Sequence, residues 1–292
     1  MDDMPMSGSR TDWIDDLSLP RHAALLRGLI RYADTDDAVR FVELGCSVAR
    51  GAGDELSDLD LGIGIADEAW PAALDNLEAA LRGLAPVADL LQHEIASWAG
   101  RPHRRFFVQY EDLTQIDLVA MPASIRAGLP PGSVALYDAD GRLASPIEPR
   151  QQWATAEDVR EWTFEAFVAL LNMDKYLRRS SAWEALEQLH QARTLVWRLW
   201  AVARQVPFAT FGLTAVLDAD AVGPPPGLEA TVARLDVADL RRAGQALLRL
   251  LLQVGDAACE RVGAVYPDGM GRVVGERWAA TAAPPEGKPR SS

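Results

Sequence analysis

Hydrophobic and polar positions alternate with different periods in the two halves of the chain. In the first half, segments with a period of two lie between segments of helical spacing, which predicts a mixed β-sheet with flanking helices. From Glu157 onward the apolar positions recur every three or four residues, which predicts a helical bundle. Residues 122–150 contain five prolines and little periodicity. We therefore expect an α/β (α+β) protein with a sheet domain at 1–150, a helical domain at 151–279 and a disordered tail at 280–292.

The same periodicities predict where the individual helices and strands begin and end. Helices are expected at Leu19–Ala33, Asp67–Gly83, Glu157–Arg179, Ala182–Arg204 and Val237–Val262. Strands are expected at Val39–Leu44, along the alternating residues Leu59–Ile65, and at Ala85–Gln92, Arg105–Tyr110 and Gln115–Val119. The short polar link Glu111–Thr114 predicts that the last two strands form a hairpin.

Acidic residues outnumber basic ones only in the first half. Residues 1–150 contain 13 basic and 25 acidic side chains, against 16 and 17 in residues 151–292. An electronegative domain repels a phosphate backbone, so we expect no nucleic-acid partner and favour divalent metal ions or a polycationic small molecule. A surplus of acid that only aids solubility would give the same balance.

Neither a membrane segment nor a secretion signal is evident. No run of eighteen apolar residues occurs, and the acidic start lacks the basic and apolar parts of a signal peptide. The two cysteines, Cys46 and Cys259, form no disulfide framework and lack the neighbours of a zinc site. We expect a cytoplasmic protein without a membrane partner; a monomer is favoured, although the sequence leaves the oligomeric state open.

Two aspartates on one strand face are the centre of the candidate chemistry. Asp58 and Asp60 are separated by one residue, so in a strand they point to the same side, roughly 7 Å apart along the chain. Carboxylates placed in this way can share two Mg²⁺ ions, as in two-metal nucleotidyl transfer. Asp117 alternates with inward-facing apolar residues on a second strand and can complete the metal site. Exposed strand faces also carry acids without any function.

A glycine-punctuated turn precedes these aspartates. Ser47 stands 11 residues before Asp58, between Gly45 and Gly51. Such a turn can bring backbone N–H groups and a hydroxyl against triphosphate oxygens. Arg50, in the same loop, can touch phosphate or pair with a nearby acid. An ordinary glycine-rich loop is the alternative interpretation.

Lysine is nearly absent from the chain. The 29 basic residues are 27 arginines and two lysines, and one of these, Lys288, lies in the proline-rich tail. At 100° per residue, Lys175 shares a polar stripe with Glu161, Glu165 and Asn172. This favours a lysine that donates to phosphate oxygens, with a solvated helix face as the alternative. Glu165 can accept the proton of a substrate hydroxyl, or it can be an ordinary surface glutamate.

The residues between Cys46 and Leu61, CSVARGAGDELSDLDL, resemble the nucleotidyltransferase signature of the DNA polymerase β superfamily. That signature reads Gly-Ser, about ten residues, then Asp-hydrophobic-Asp. The segments Lys175–Leu177, Trp183–Leu189 and Arg261–Pro267 are similar to the C-terminal part of bacterial aminoglycoside 6-adenylyltransferases. The likeness spans most of residues 40–275.

The resemblance implies a catalytic domain followed by a helical domain, and transfer of AMP from ATP, with two Mg²⁺ ions, to a hydroxyl of an aminoglycoside-like acceptor. It assigns metal binding to Asp58, Asp60 and Asp117, the nucleotide loop to Ser47, and a phosphate contact to Lys175. Antibiotic resistance is the biological role that it suggests.

One departure from the signature keeps other functions open. Cys46 stands where the signature has glycine, and a side chain there can crowd the phosphates. The alternatives are the same chemistry on a protein or another metabolite, and a non-catalytic nucleotide-binding protein, for instance a partner in a toxin–antitoxin pair. Retention of three acids disfavours the second alternative, because a binding module does not need them.

Overall fold

The computed structural model describes residues 12–98, 101–148, 152–219 and 221–282. The chain divides into two compact units, Met1–Pro149 and Arg150–Ser292. Over the described ranges, no helix has the length and hydropathy needed to cross a membrane.

The first unit is built on a mixed sheet, as the sequence predicted. Its helices are α1 (Asp12–Asp15), α2 (Pro20–Thr35), α3 (Cys46–Ala49) and α4 (Ala73–Leu84). Its strands are β1 (Val39–Leu44), β2 (Leu59–Ile65), β3 (Val87–Trp98), β4 (Arg101–Tyr110), β5 (Gln115–Pro122) and β6 (Val134–Asp138). The strand order is β3-β4-β5-β2-β1-β6. β2 and β5 are parallel neighbours, whereas the other neighbouring pairs are antiparallel.

Several elements of this unit differ from the expectation. The short helices α1 and α3 were not predicted, β4 begins at Arg101 instead of Arg105, and β5 ends at Pro122 instead of Val119. The helix expected at Asp67–Gly83 is a short 3-10 turn, Asp67–Ala69, followed by α4. Pro71 separates the two, because proline has no N–H and its ring excludes the preceding helical turn. β3 runs further than expected, to Trp98. β6 was not predicted, since it is a five-residue edge strand within the proline-rich segment.

The two faces of the sheet are covered differently. On one face, β-strand side chains such as Leu59 and Leu118 pack with Leu29 of α2 and Leu77 of α4 in a large buried cluster. On the other face a small cluster of Phe41, Met121, Ala123, Ala135 and Leu143 forms with the segment that follows β5. Asp60 alternates with buried leucines of the first cluster, so its side chain belongs to the second face.

The second unit is helical, and its long helices match the predicted bounds within one residue. Its helices are α5 (Ala156–Arg178), α6 (Ala182–Ala203), α7 (Leu213–Leu217), α8 (Val237–Val262) and α9 (Asp268–Ala282). Thr155 and Asp158 form a capping box at the start of α5. Gly263, in the left-handed region at φ 70°, ends α8.

Helix α9 was not predicted, and it extends into the first three residues of the tail that was expected to be disordered. It contains three glycines and lacks a clear apolar stripe, but its Trp278 is 2% exposed and donates to the carbonyl oxygen of Leu170 on α5. This packing continues the helix to Ala282, so residues 280–282 are helical and not disordered. The rest of the expected tail, residues 283–292, lies outside the described residues.

Candidate active site

Register brings two of the predicted acids together. In the parallel pair formed by β2 and β5, Asp60 is directly opposite Asp117. Neighbouring strands lie about 4.8 Å apart, and paired residues point to the same face, so the two carboxylates are neighbours. Asp58 immediately precedes β2 and is half-buried. The apolar residues on either side of Asp60 and Asp117 are buried in the large core, which fixes the direction of both side chains.

The turn after β1 lies beside these acids. The N–H of Gly45 donates to the carbonyl oxygen of Asp60 at 2.8 Å, which ties the turn to β2. Ser47, in α3, is half-buried, and Arg50 ends this short helix. Cys46 has a φ of 55°, a left-handed conformation that costs an L-residue about 1 kcal/mol and glycine almost nothing. Position 46 therefore has a backbone conformation that favours glycine, which is the residue that the signature has there.

The thiol of Cys46 is engaged with Asp60. It forms a side-chain hydrogen bond with the Asp60 carboxylate. Although Cys46 is exposed as a residue, partial desolvation raises the pKa of its thiol to about 11, and the hydrogen bond and negative charge of Asp60 add to the rise. At neutral pH the thiol is therefore protonated and donates to the carboxylate.

Arg105 is a site residue that the sequence analysis missed. Its Nε donates to Oδ1 of Asp117 at 2.7 Å, and its Nη2 donates to Oδ2. The side chain of Asp117 is 17% exposed and that of Arg105 is 39% exposed. Arg105 lies opposite Val119 in the β4–β5 hairpin, and Asp117 lies opposite Phe107, so the ion pair is diagonal across the two strands. The four-residue link expected from the sequence would place Tyr110 opposite Gln115, one residue away from the observed pair of Gln109 with Gln115, so the sequence contained no signal for this contact.

Mutual repulsion marks the three acids as one electrostatic group. Burial is the main cause that raises the pKa of Asp60, and the negative charges of Asp58 and Asp117 raise it further. The hydrogen bond from Cys46 and the positive charge of Arg105 act in the opposite direction. Asp60 therefore lies in a pocket of excess negative charge, which is the environment that attracts a cation.

Beyond Asp60, the sheet face is filled by side chains of β1. A Cβ on Gly62 would lie 2.7 Å from Oε1 of Glu43, and one on Gly64 would lie 2.0 Å from the ring of Phe41. Glu43 is buried, pairs with Arg126 at 2.9 Å, and has its pKa raised by burial. The two glycines therefore admit neighbouring side chains and do not leave open space for a ligand.

The carboxylates at this site are suitable ligands for Mg²⁺, but their observed arrangement does not form a complete metal site. Oxygen ligands from carboxylates are those that Mg²⁺ prefers. In the part of the chain that the structure describes, no group of three or more His, Cys, Asp or Glu side chains is arranged so that it could hold a metal ion. At this site Arg105 holds both carboxylate oxygens of Asp117. Asp58 and Asp60 remain as the carboxylates without a guanidinium partner among the ion pairs described.

The remaining predicted residues belong to the second unit. Lys175 is half-buried near the end of α5, where its Nζ donates to Oδ1 of Asn172 at 2.9 Å and lies 4.5 Å from the ring centre of Tyr176. Two members of the predicted polar stripe of α5, Asn172 and Lys175, are therefore joined by a hydrogen bond. Glu165 is exposed on the same helix.

A groove of about 750 Å³ runs between α5 and α6 beside this stripe. Glu161, Glu165 and Asn172 line it from α5, and Gln188, Gln191 and Thr194 line it from α6. Exposed apolar side chains of Phe164 and Val168 complete the α5 side. The lining thus combines two negative charges, hydrogen-bonding amides and an apolar strip.

Comparisons with known proteins gave structural similarity only. No family model and no curated protein matches the chain. An aminoglycoside 6-adenyltransferase from Bacillus subtilis is similar with 15% identity and a TM-score of 0.42, over 89% of this chain and 97% of that one. A nucleotidyltransferase-like protein from Exiguobacterium sibiricum is similar with 9% identity and a TM-score of 0.37, over 80% of this chain and 74% of that one. Since both TM-scores are below 0.5, neither likeness decides what this chain does.

Proposed function

We propose that this chain is an Mg²⁺-dependent nucleotidyltransferase that transfers AMP from ATP to a hydroxyl of a small cationic acceptor. The observation that supports the proposal most is the direct pairing of Asp60 with Asp117 on parallel neighbouring strands, with Asp58 beside them. Three neighbouring acids, two of which raise the pKa of the third, Asp60, beside a turn with a serine, are the minimum that this chemistry requires.

Asp58 and Asp60 are the residues that would hold the metal ions. Asp117 would join them after exchanging the guanidinium of Arg105 for a cation. When bound, two Mg²⁺ ions supply charge neutralisation at the triphosphate and lower the pKa of the attacking hydroxyl.

The chain's own contribution is then mainly positioning and charge. Ser47 and the backbone N–H groups of its turn are suited to triphosphate oxygens, because Gly45 anchors the turn to Asp60. Lys175 is suited to a phosphate contact, since a compact ammonium donates readily to phosphate oxygens. Arg50 adds positive charge to the loop.

The α5–α6 groove suggests the acceptor class. Glu161 and Glu165 place two carboxylates in it without a basic lining residue, and amide and hydroxyl groups surround them. A polyhydroxylated compound with amino groups, such as an aminoglycoside, satisfies both features. Glu165 is then the candidate group that accepts the proton of the acceptor hydroxyl.

The test is pyrophosphate release from ATP with a panel of aminoglycosides, amino sugars, proteins and neutral polyols. We expect release that requires both Mg²⁺ and a cationic acceptor, and its loss in Asp58→Asn. Asp75→Asn, an exposed acid of α4, is the matched control and should retain full turnover. Undiminished turnover in a folded Asp58→Asn protein would refute the assignment, and turnover with a protein or another metabolite would correct the acceptor class.

A specific observation favours a second function, a non-catalytic nucleotide-binding or toxin–antitoxin-type partner. Two of the three acids are already satisfied within the protein, Asp60 by the Cys46 thiol and Asp117 by Arg105. A protein that has given up catalysis would keep such internal partners. Calorimetric titration with ATP separates the two functions, because a nucleotidyltransferase should bind ATP more tightly with Mg²⁺ than with EDTA, whereas this alternative predicts no dependence on the metal.

A further inference from the structure

A buried aspartate in the second unit is surrounded by three arginines. Asp174 of α5 is 1% exposed. Its Oδ2 accepts hydrogen bonds from Nε of Arg178 at 2.8 Å and from Nε of Arg277 at 2.7 Å. Its Oδ1 accepts from Nη1 of Arg241 at 3.3 Å. The arginines come from α5, α9 and α8, so three helices converge on one carboxylate.

The arginines keep most of their hydrogen-bonding capacity free for another ligand. A guanidinium has five N–H donors, and Arg178 and Arg277 each spend only the Nε donor on Asp174. Their terminal amino groups make no hydrogen bond to any other part of the described chain. The side chains of Arg178, Arg241 and Arg277 are 43%, 23% and 48% exposed, so a ligand in solution can reach them.

The charge of this cluster exceeds what a structural ion pair needs. One guanidinium compensates one buried carboxylate, and each further one adds repulsion between like charges. Three arginines and one aspartate leave a net charge of +2. The C-terminal end of α5, where Arg178 lies, offsets about half a charge. The remaining charge of about +1.5 is close in magnitude to that of a phosphate group at neutral pH, about −1.5 to −2.

The geometry points to an anion site on the helical unit, in which Arg178, Arg241 and Arg277 bind a phosphate or pyrophosphate group. Asp174 acts as a positioning residue, since its two oxygens hold the three guanidiniums together. Arginine suits this role, because its planar fork matches phosphate oxygens. The residues of this anion site all belong to the second unit, and the proposal does not depend on metal or on the proposed transfer reaction.

Calorimetric titration of the full-length protein with sodium pyrophosphate in EDTA tests the proposal. EDTA removes divalent metal, so a failure of the nucleotidyltransferase proposal would not affect the result. We expect saturable binding to the wild type, and about a hundredfold weaker binding to Arg178→Gln/Arg277→Gln. Arg241 still partners the buried carboxylate in that variant, which protects the fold. The control is Arg249→Gln/Arg272→Gln, which removes two exposed charges from α8 and α9 outside the cluster and should bind as the wild type does.

The outcomes separate the possible sources of the anion. If a nucleotide supplies it, the double variant loses affinity for ATP as well as for pyrophosphate, and adenosine binding is unchanged. If free phosphate supplies it, affinity for inorganic phosphate and pyrophosphate falls, and ATP affinity does not change. A third variant, Asp174→Asn, keeps all three cations but loses the carboxylate that positions them, so its pyrophosphate affinity should fall by less than that of Arg178→Gln/Arg277→Gln. The proposal is overturned if the wild type binds no pyrophosphate, or if both double variants lose the same affinity.

Discussion

Arg105→Met tests whether Asp117 can bind a metal ion or serves only in a structural ion pair with Arg105. The substitution removes the guanidinium and keeps an apolar side chain of similar length on β4. If Asp117 binds metal, Arg105 competes with the cation for both carboxylate oxygens. Removing the competitor should therefore strengthen Mg²⁺ binding while it weakens the metal-free fold.

The magnitude follows from the geometry of the pair. Hydrogen bonds to charged groups contribute about 1.5–3 kcal/mol each when they are buried. The side chain of Arg105 is 39% exposed, so solvent screening reduces the net value of the pair to about 1 kcal/mol. Since 1 kcal/mol is a factor of about five in an equilibrium constant, we expect about fivefold tighter Mg²⁺ binding. We also expect about 1 kcal/mol lower stability in EDTA.

Calorimetric Mg²⁺ titration and urea unfolding, with and without Mg²⁺, measure both effects. Arg104→Met is the matched control, because Arg104 precedes Arg105 on β4, points to the other face and pairs with Glu94 at 3.2 Å. It should leave Mg²⁺ affinity unchanged. Equal or weaker Mg²⁺ binding by Arg105→Met than by Arg104→Met would contradict the role of Asp117 as a ligand and leave a structural ion pair.

Three further substitutions address the turn, the sheet face and the lysine. Cys46→Gly should be about 1 kcal/mol more stable than Cys46→Ala in urea unfolding, since both lose the thiol and only glycine relieves the left-handed backbone; equal stabilities would mean that this conformation carries no strain. Gly62→Ala should lower the free energy of unfolding by about 1–3 kcal/mol, because the added Cβ clashes with the buried Glu43. Gly83→Ala, in open space on α4, should raise it by about 0.5–1 kcal/mol. An unchanged stability of Gly62→Ala would show that Glu43 can move aside. Lys175→Ala should bind ATP about tenfold more weakly, and unchanged affinity would assign the lysine to a solvated helix face.

Local patterns were sufficient wherever an element buries a regular stripe. α8 has the predicted bounds, because its apolar residues face one core and its two ends carry capping residues. β1 also has the predicted bounds, although Phe41 belongs to the small cluster and the other apolar residues of the strand belong to the large one. The strict alternation along β2 also predicted correctly that Asp60 faces away from the leucines. Elements without such a stripe escaped prediction, as α9 did, since its buried hydrophobic anchors are Val274 and Trp278 and its three glycines interrupt the pattern.

Interactions between distant segments set the limits of prediction at the site. The sequence indicated three acids, but it did not indicate that Arg105 forms an ion pair with Asp117. It also did not indicate that Phe41 and Glu43 fill the space beside the glycines of β2. Both depend on the register between paired strands, which the length of the connecting segment does not fix. The bond between Cys46 and Asp60 likewise requires the turn to fold back onto β2.

Asp60→Asn is expected to make the metal-free protein more stable at neutral pH while it removes activity. Burial and the charges of Asp58 and Asp117 raise the pKa of Asp60 in the folded state. An acid with a raised folded pKa keeps its proton longer in the folded than in the unfolded state. Its contribution to stability therefore decreases as the pH rises from the unfolded value, about 3.9, through the folded pKa.

Asparagine has no such penalty at any pH, and its side-chain oxygen can still accept the hydrogen bond from Cys46. The gain in Tm of Asp60→Asn over wild type in EDTA should therefore be largest at pH 7 and shrink as the pH falls below the folded pKa of Asp60. Asp16→Asn, an exposed acid outside the site, should show no such trend. Added Mg²⁺ should reverse the order, because only the wild type keeps the carboxylate that binds it. A variant less stable than wild type at pH 7 in EDTA would mean that Asp60 stabilises the fold, and the excess negative charge would then not mark a cation site.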